Sequence, residues 1–86
     1  MRYEKTESKE DVDKAIQEFT AFINLAPANE PYVVEAYFHR GVCYGIKNDI
    51  KSAYNDAMMA LTIDPDNEQA KSLIKMIEEE QKEKQQ

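Results

Sequence analysis

Apolar residues return along this chain every three or four positions, in four blocks parted by proline, asparagine and aspartate. That period sets the apolar side chains of each block on one face of a helix. In the first block Val12, Ile16, Phe19, Ile23 and Ala26 mark the main face, and Ala15 and Phe22 widen it. Ser8-Lys9-Glu10-Asp11 precedes it as a capping box, with Ser8 as N-cap, and Pro27 closes it. The second block carries Tyr37, Gly41, Tyr44 and Asn48 on one stripe. Glu30-Pro31-Tyr32-Val33 extends it at its start, because proline is tolerated in a first helical turn. After the break at Asn48-Asp49, the third block runs through Ile50, Ala53, Tyr54, Ala57, Ala60, Leu61 and Ile63 and stops at Asp64-Pro65. The fourth opens on Asp66 as N-cap with Gln69 three residues on. It places Ala70, Leu73, Ile74 and Ile77 at i, i+3, i+4 and i+7, and its face ends at Glu78. The pattern predicts an all-α fold of four antiparallel helices, at about 10–26, 30–47, 50–63 and 67–84, in a single domain. A polar arm over residues 1–9 precedes them, in which only Met1 and Tyr3 can bury much surface.

Val34 to Asn67 forms one helical hairpin in this reading. Small residues fall where its helices must approach closely: Gly41 on the first, Ala53, Ala57 and Ala60 on the second. On these residues the stretch resembles a tetratricopeptide repeat (TPR), a helix–turn–helix unit of about 34 residues. With Val34 in first place, Tyr37 takes the large aromatic position, Gly41 the small one and Tyr44 the second aromatic one. Ala53 and Ala60 match the alanines of the second helix and Pro65 the closing proline. Ala57 stands where the family has a large residue. Arg40 stands where leucine is commonest, although Phe38-His39-Arg40-Gly41-Val42 is similar to a frequent variant. Ala15, Phe19 and Pro27 match the second helix of a preceding unit, with Phe22 for the later alanine. The two closing prolines lie 38 residues apart, four more than the family period, and residues 30–33 hold the excess. In the fourth helix Lys71 and Lys75 replace the aromatic and the glycine, as in a polar-backed capping helix. The resemblance thus implies an α-solenoid fragment: the back half of a repeat, one full repeat and a cap.

Such repeats are mostly binding scaffolds, and their first helices line a concave groove. The resemblance maps groove positions onto Glu35, Phe38, Val42, Gly45 and Ile46, with His39 at the edge. Phe38, Val42 and Ile46 form an i, i+4, i+8 stripe apart from the packing stripe. Either a protein or peptide partner or another part of the same chain covers it. The lysine–asparagine–arginine clamp by which some members grip a C-terminal carboxylate is missing. Phe38, His39 and Val42 hold its places on the full repeat, and Gln69 and Leu73 those on the cap. The expected function is a protein-interaction module without a carboxylate clamp. The alternative is an assembly protein that homo-oligomerises, as a symmetric or helix-swapped dimer, through Ala15, Phe19 and Phe22 on the open side of the first helix. An arm folded back through Tyr3, or a longer array continuing the chain, would also cover that side.

Composition trims the remaining classes. A chain of 86 residues makes one small domain with a thin core. Its formal net charge of −6 argues against nucleic acid and anionic membranes, both of which need a basic patch. No apolar run is long enough to span a bilayer, and MRYEKTESKE lacks the apolar core of a signal peptide, which predicts a cytoplasmic protein. The lone Cys43 forms no internal disulfide and is expected as a small buried hydrophobe. His39 and Cys43 are two ligands where zinc needs four. Glu78-Glu79-Glu80 reads as a solvated helix end, and Asp64-Pro65-Asp66-Asn67-Glu68 lacks the spacing of a calcium loop. No catalytic constellation, metal site or cofactor is therefore expected, and the chain is not read as an enzyme.

Overall fold

The computed structural model describes residues 9–27 and 30–84. They form four α-helices: α1 (Lys9–Leu25), α2 (Tyr32–Ile46), α3 (Ile50–Ile63) and α4 (Glu68–Lys84). No strand occurs among the described residues. Each helix lies within two residues of the span that periodicity predicts. The capping role of Ser8 and the arm with Met1 and Tyr3 lie outside the described residues.

Neighbouring helices run antiparallel. Val34, near the start of α2, packs with Ala60 near the end of α3, whereas Val42 and Tyr44, near the end of α2, pack against the cluster that holds Ala53 at the start of α3. Ala60 in turn meets Ala70 at the start of α4, and Ala53 and Ala57 meet Leu73 and Ile77 further along it. The helix α2 is the centre of the arrangement. It touches α1, α3 and α4, while among the described helices α1 packs on α2 alone. Gly41 is where the three later helices converge. A Cβ there would lie 3.2 Å from Leu73 Cδ2 and 3.3 Å from both the Ala53 carbonyl oxygen and the Asp56 Cβ.

Alanine, not bulk, fills the deepest positions. Ala53, Ala57, Ala60 and Ala70 are all fully buried, and among the described residues no large side chain is. Two expectations change on α3. Tyr54 and Ile63 face outward, 37% and 41% exposed, and Asp56 turns inward at 4%. At about 100° per residue, Tyr54 and Ile63 sit on opposite flanks of the Ala53–Ala57–Ala60 stripe, and Asp56 sits beside it. On α1 only Val12 is buried; Ala15, Ile16, Phe19 and Ile23 are half-buried and Phe22 is 40% exposed. Cys43 is half-buried rather than buried.

The turns have plain causes. Asn48 adopts φ 65°, and the Asn48 and Asp49 amides donate to the Gly45 and Tyr44 carbonyls at 2.9 and 2.8 Å. This is a Schellman ending with asparagine in the left-handed position. Asn48 is thus an exposed turn residue instead of a continuation of the packing stripe. Asp49 then caps α3, its Oδ1 accepting from the Ser52 amide at 3.3 Å. Before α4 the cap is Asn67, one residue past the expected Asp66. Its Oδ1 accepts from the Ala70 amide at 2.8 Å, while the Asp66 amide donates to Asp64 Oδ1 at 3.3 Å.

Candidate interaction site

The position of α2 is secured by a polar clasp that hydrophobic patterning passes over. Arg40 Nε and Nη2 donate to Asp56 Oδ2 and Oδ1, each at 2.8 Å, in a two-pronged pair between α2 and α3. Nη1 donates to Thr20 Oγ1 on α1 at 3.0 Å. The guanidinium also lies over the rings of Tyr37 and Tyr44, 5.6 and 5.9 Å from their centroids. Its side chain is 17% exposed and that of Asp56 5%. The hydrogen bond to Asp56 holds the Arg40 proton above the ordinary arginine range, against the cost of burial. One side chain thereby joins three helices. The signal for it was present in the sequence, since Asp56 completes an i, i+3, i+4, i+7 stripe with Ala53, Ala57 and Ala60.

With α2 so held, one face of it forms a wall of a groove of about 570 Å³. Phe38, Val42, Gly45 and Ile46 come from α2, and Ile50 and Ala53 from α3. Gln69, Ser72, Leu73, Met76, Ile77 and Glu80 line the opposite side along α4, with Glu68 at its start. Because α2 and α4 both oppose α3, they run in the same sense as the two walls. The floor belongs to the core, while the rims are open: Ile46 is 55% and Met76 62% exposed. Phe38 is half-buried, packs against the Ala53–Leu73 cluster and meets His39 edge-on, with centroids 5.1 Å apart. It therefore serves the fold as well as the groove.

The structure divides the expected groove residues between two surfaces. Phe38, Val42 and Ile46 line the α2–α4 groove, as does Gly45. Glu35 and His39 turn instead toward α1. They line a shallow hollow with Glu18, Phe19, Phe22, Tyr32 and Ala36, where His39 stacks on Phe19 at 5.9 Å. Phe19 and Phe22, expected on a self-association face, thus meet Glu35 and His39, and Ala15 lies outside that hollow. Met76 and Glu80 carry no motif, and only the helical continuation of the Gln69–Leu73 line points to them. At the far end of α2, the Lys47 ammonium pairs with Asp13 of α1, which raises its pKa above the ordinary lysine value. Among the described residues no group of three or more His, Cys, Asp and Glu could hold a metal ion, and no helix is long and apolar enough to cross a membrane.

Comparison with family models, with curated proteins and with solved structures yields no match.

Proposed function

We propose that this chain is a protein-interaction module, built from TPR-like helical hairpins, that holds a segment of a partner protein between α2 and α4. The observation that carries the reading is the groove itself. Apolar side chains from two parallel helices line it, and its rims, Ile46 and Met76, remain more than half exposed. Apolar rims above an apolar floor are the usual form of a surface that accepts another chain. No clamp for a terminal carboxylate accompanies it, because Phe38, His39 and Val42 stand in place of its lysine and asparagine, and Gln69 and Leu73 in place of its lysine and arginine. The reading assigns the chain no catalysis of its own.

The test compares capture of partners from native extract by the wild type and by an Ile46→Glu/Met76→Glu variant. Both positions are exposed, so the variant keeps the wild-type helical content and melting temperature and loses the captured partner. Retained capture would overturn the reading. Phe38→Glu is a poorer probe, since Phe38 also packs on the core.

A second reading, assembly through α1, is favoured by one observation. Phe22, Leu25 and Tyr32 are 40%, 85% and 65% exposed around the junction of α1 with α2. It requires a dimer by light scattering at high micromolar concentration that Phe22→Glu converts to a monomer; a wild-type monomer would exclude it.

A further inference from the structure

The groove's walls restrict what can fill it, if the groove reading above holds. Both are helices whose backbone N–H and C=O groups serve their own hydrogen bonds, so neither offers a sheet edge. An extended segment laid against Phe38, Val42, Leu73 and Met76 would bury backbone groups with few partners. A helix satisfies its own backbone and presents only side chains. Gly45 favours such a visitor: a Cβ built there meets nothing within 4 Å, so a second helix finds space above it. Glu68 and Glu80 are twelve residues apart on α4, so the groove is about 18 Å long, the length of some three helical turns.

Charge then distinguishes the two ends. Among the described residues, Glu68 and Glu80 are the only charged ones that line the groove. Glu68 lies in the first turn of α4 with Lys71 3.8 Å away. Glu80 has Glu83 three residues on, along the same helical stripe and in the last turn of α4, where the helix dipole adds partial negative charge. Lys84, four residues on from Glu80, shares that stripe and offsets one of its two carboxylates, which leaves this end net negative. The other nearby cations are directed elsewhere. Lys47 is paired with Asp13 on α1, and Lys51 and Lys82 line a separate furrow beyond Ile77.

From this we infer that the occupant is an amphipathic helix of a partner protein, carrying an apolar stripe of two to three turns and Lys or Arg at the end that meets Glu80 and Glu83. A second copy of this chain fits less well, since each brings a net charge of −6.

The experiment uses the full chain with labelled Ile and Met methyl groups and synthetic peptides of about 18 residues, long enough to span the groove. All carry one leucine stripe at i, i+3, i+4 and i+7. Two have a lysine cluster, at the N- or the C-terminal end; two have glutamates in those places; one lysine peptide carries a central proline. One lysine peptide should move the Ile46 and Met76 methyl signals and bind at least about fivefold tighter than its glutamate counterpart, with the gap closing as salt rises. Glu80→Lys/Glu83→Lys should invert the preference. Equal affinity of lysine and glutamate peptides at these methyls would overturn the charge inference and leave the groove reading intact. Equal binding of the proline-broken peptide would overturn the helical one. Methyl signals that shift on dilution of the chain alone, or in Tyr3→Ala, would assign the groove to a second copy or to the chain's own arm and overturn the proposal. If no peptide moves these methyls at millimolar concentration, the groove reading falls with it.

Discussion

At the scale of single residues, Arg40 and Asp56 are the pair on which three helices depend. Burying two charges is costly, and their attraction offsets that cost only while both are present and fully hydrogen-bonded. Arg40→Leu would leave the carboxylate of Asp56 buried without its two donors. The expected loss is about 3 kcal/mol, near the lower end for a broken buried pair because one side of the guanidinium reaches water. Replacing both partners by leucine should recover most of it, to within about 1–2 kcal/mol of wild type. Urea unfolding of the two single variants and the double variant measures this, and additive losses would show that the pair is not coupled. The two glycines separate in the same assay. At Gly41 an added methyl meets a backbone carbonyl and two side-chain carbons at 3.2–3.3 Å, of which only Leu73 can give way. Strain then outweighs the helix propensity gained, so Gly41→Ala should destabilise by about 1 kcal/mol, whereas Gly45→Ala, facing open space, should stabilise by about 0.5–1 kcal/mol.

At the scale of elements, the helix ends show what a sequence can and cannot tell. Asn48-Asp49 and Asp64-Pro65 are legible as stops because asparagine tolerates φ above zero and proline cannot continue a helix. Asn48 at φ 65° makes this testable: Asn48→Gly should be neutral or slightly stabilising, and Asn48→Val should cost about 1–2 kcal/mol in thermal unfolding. A valine variant as stable as wild type would mean that the turn is not held in the left-handed region. The choice between Asp66 and Asn67 as cap was not legible, since both can accept a backbone hydrogen bond. The Asp64 side chain decides it by taking the Asp66 amide and leaving Asn67 to α4. The face of α2 failed for another reason. At about 100° per residue Glu35 projects between Val42 and Ile46, so a helical wheel merges them. A wheel discards position along the axis, and the later part of α1, with Phe19 and Phe22, lies beside the part of α2 that carries Glu35 and His39. On α3 the apolarity of Tyr54 and Ile63 outweighs their position on the wheel, and apolar periodicity alone does not point to Asp56 as a core residue, because its partner is sixteen residues away.

At the scale of the whole molecule, the cohesion of the helices is uneven. The helices α2, α3 and α4 share both hydrophobic clusters, and α2 and α3 also share the bidentate pair. On α1 there is one buried residue, Val12. Its polar ties include the Arg40–Thr20 hydrogen bond and the Lys47–Asp13 pair, the latter exposed to solvent and open to screening by salt. Segments with few buried apolar contacts open at lower free energy than the core. Native-state hydrogen exchange should therefore show the amides of α1 released by a partial opening, at least about 2 kcal/mol below the global unfolding that releases those of α3. Thr20→Val should widen this gap by removing the tie to Arg40, with little effect on α3. If the amides of α1 and α3 instead exchange at one common free energy, α1 is part of the cooperative core, and its exposed aromatic end must be held by more than α2. The Phe22→Glu variant then decides by what. A fall of the α1 amides to a lower opening energy, together with loss of a dimer, would assign that support to a second copy.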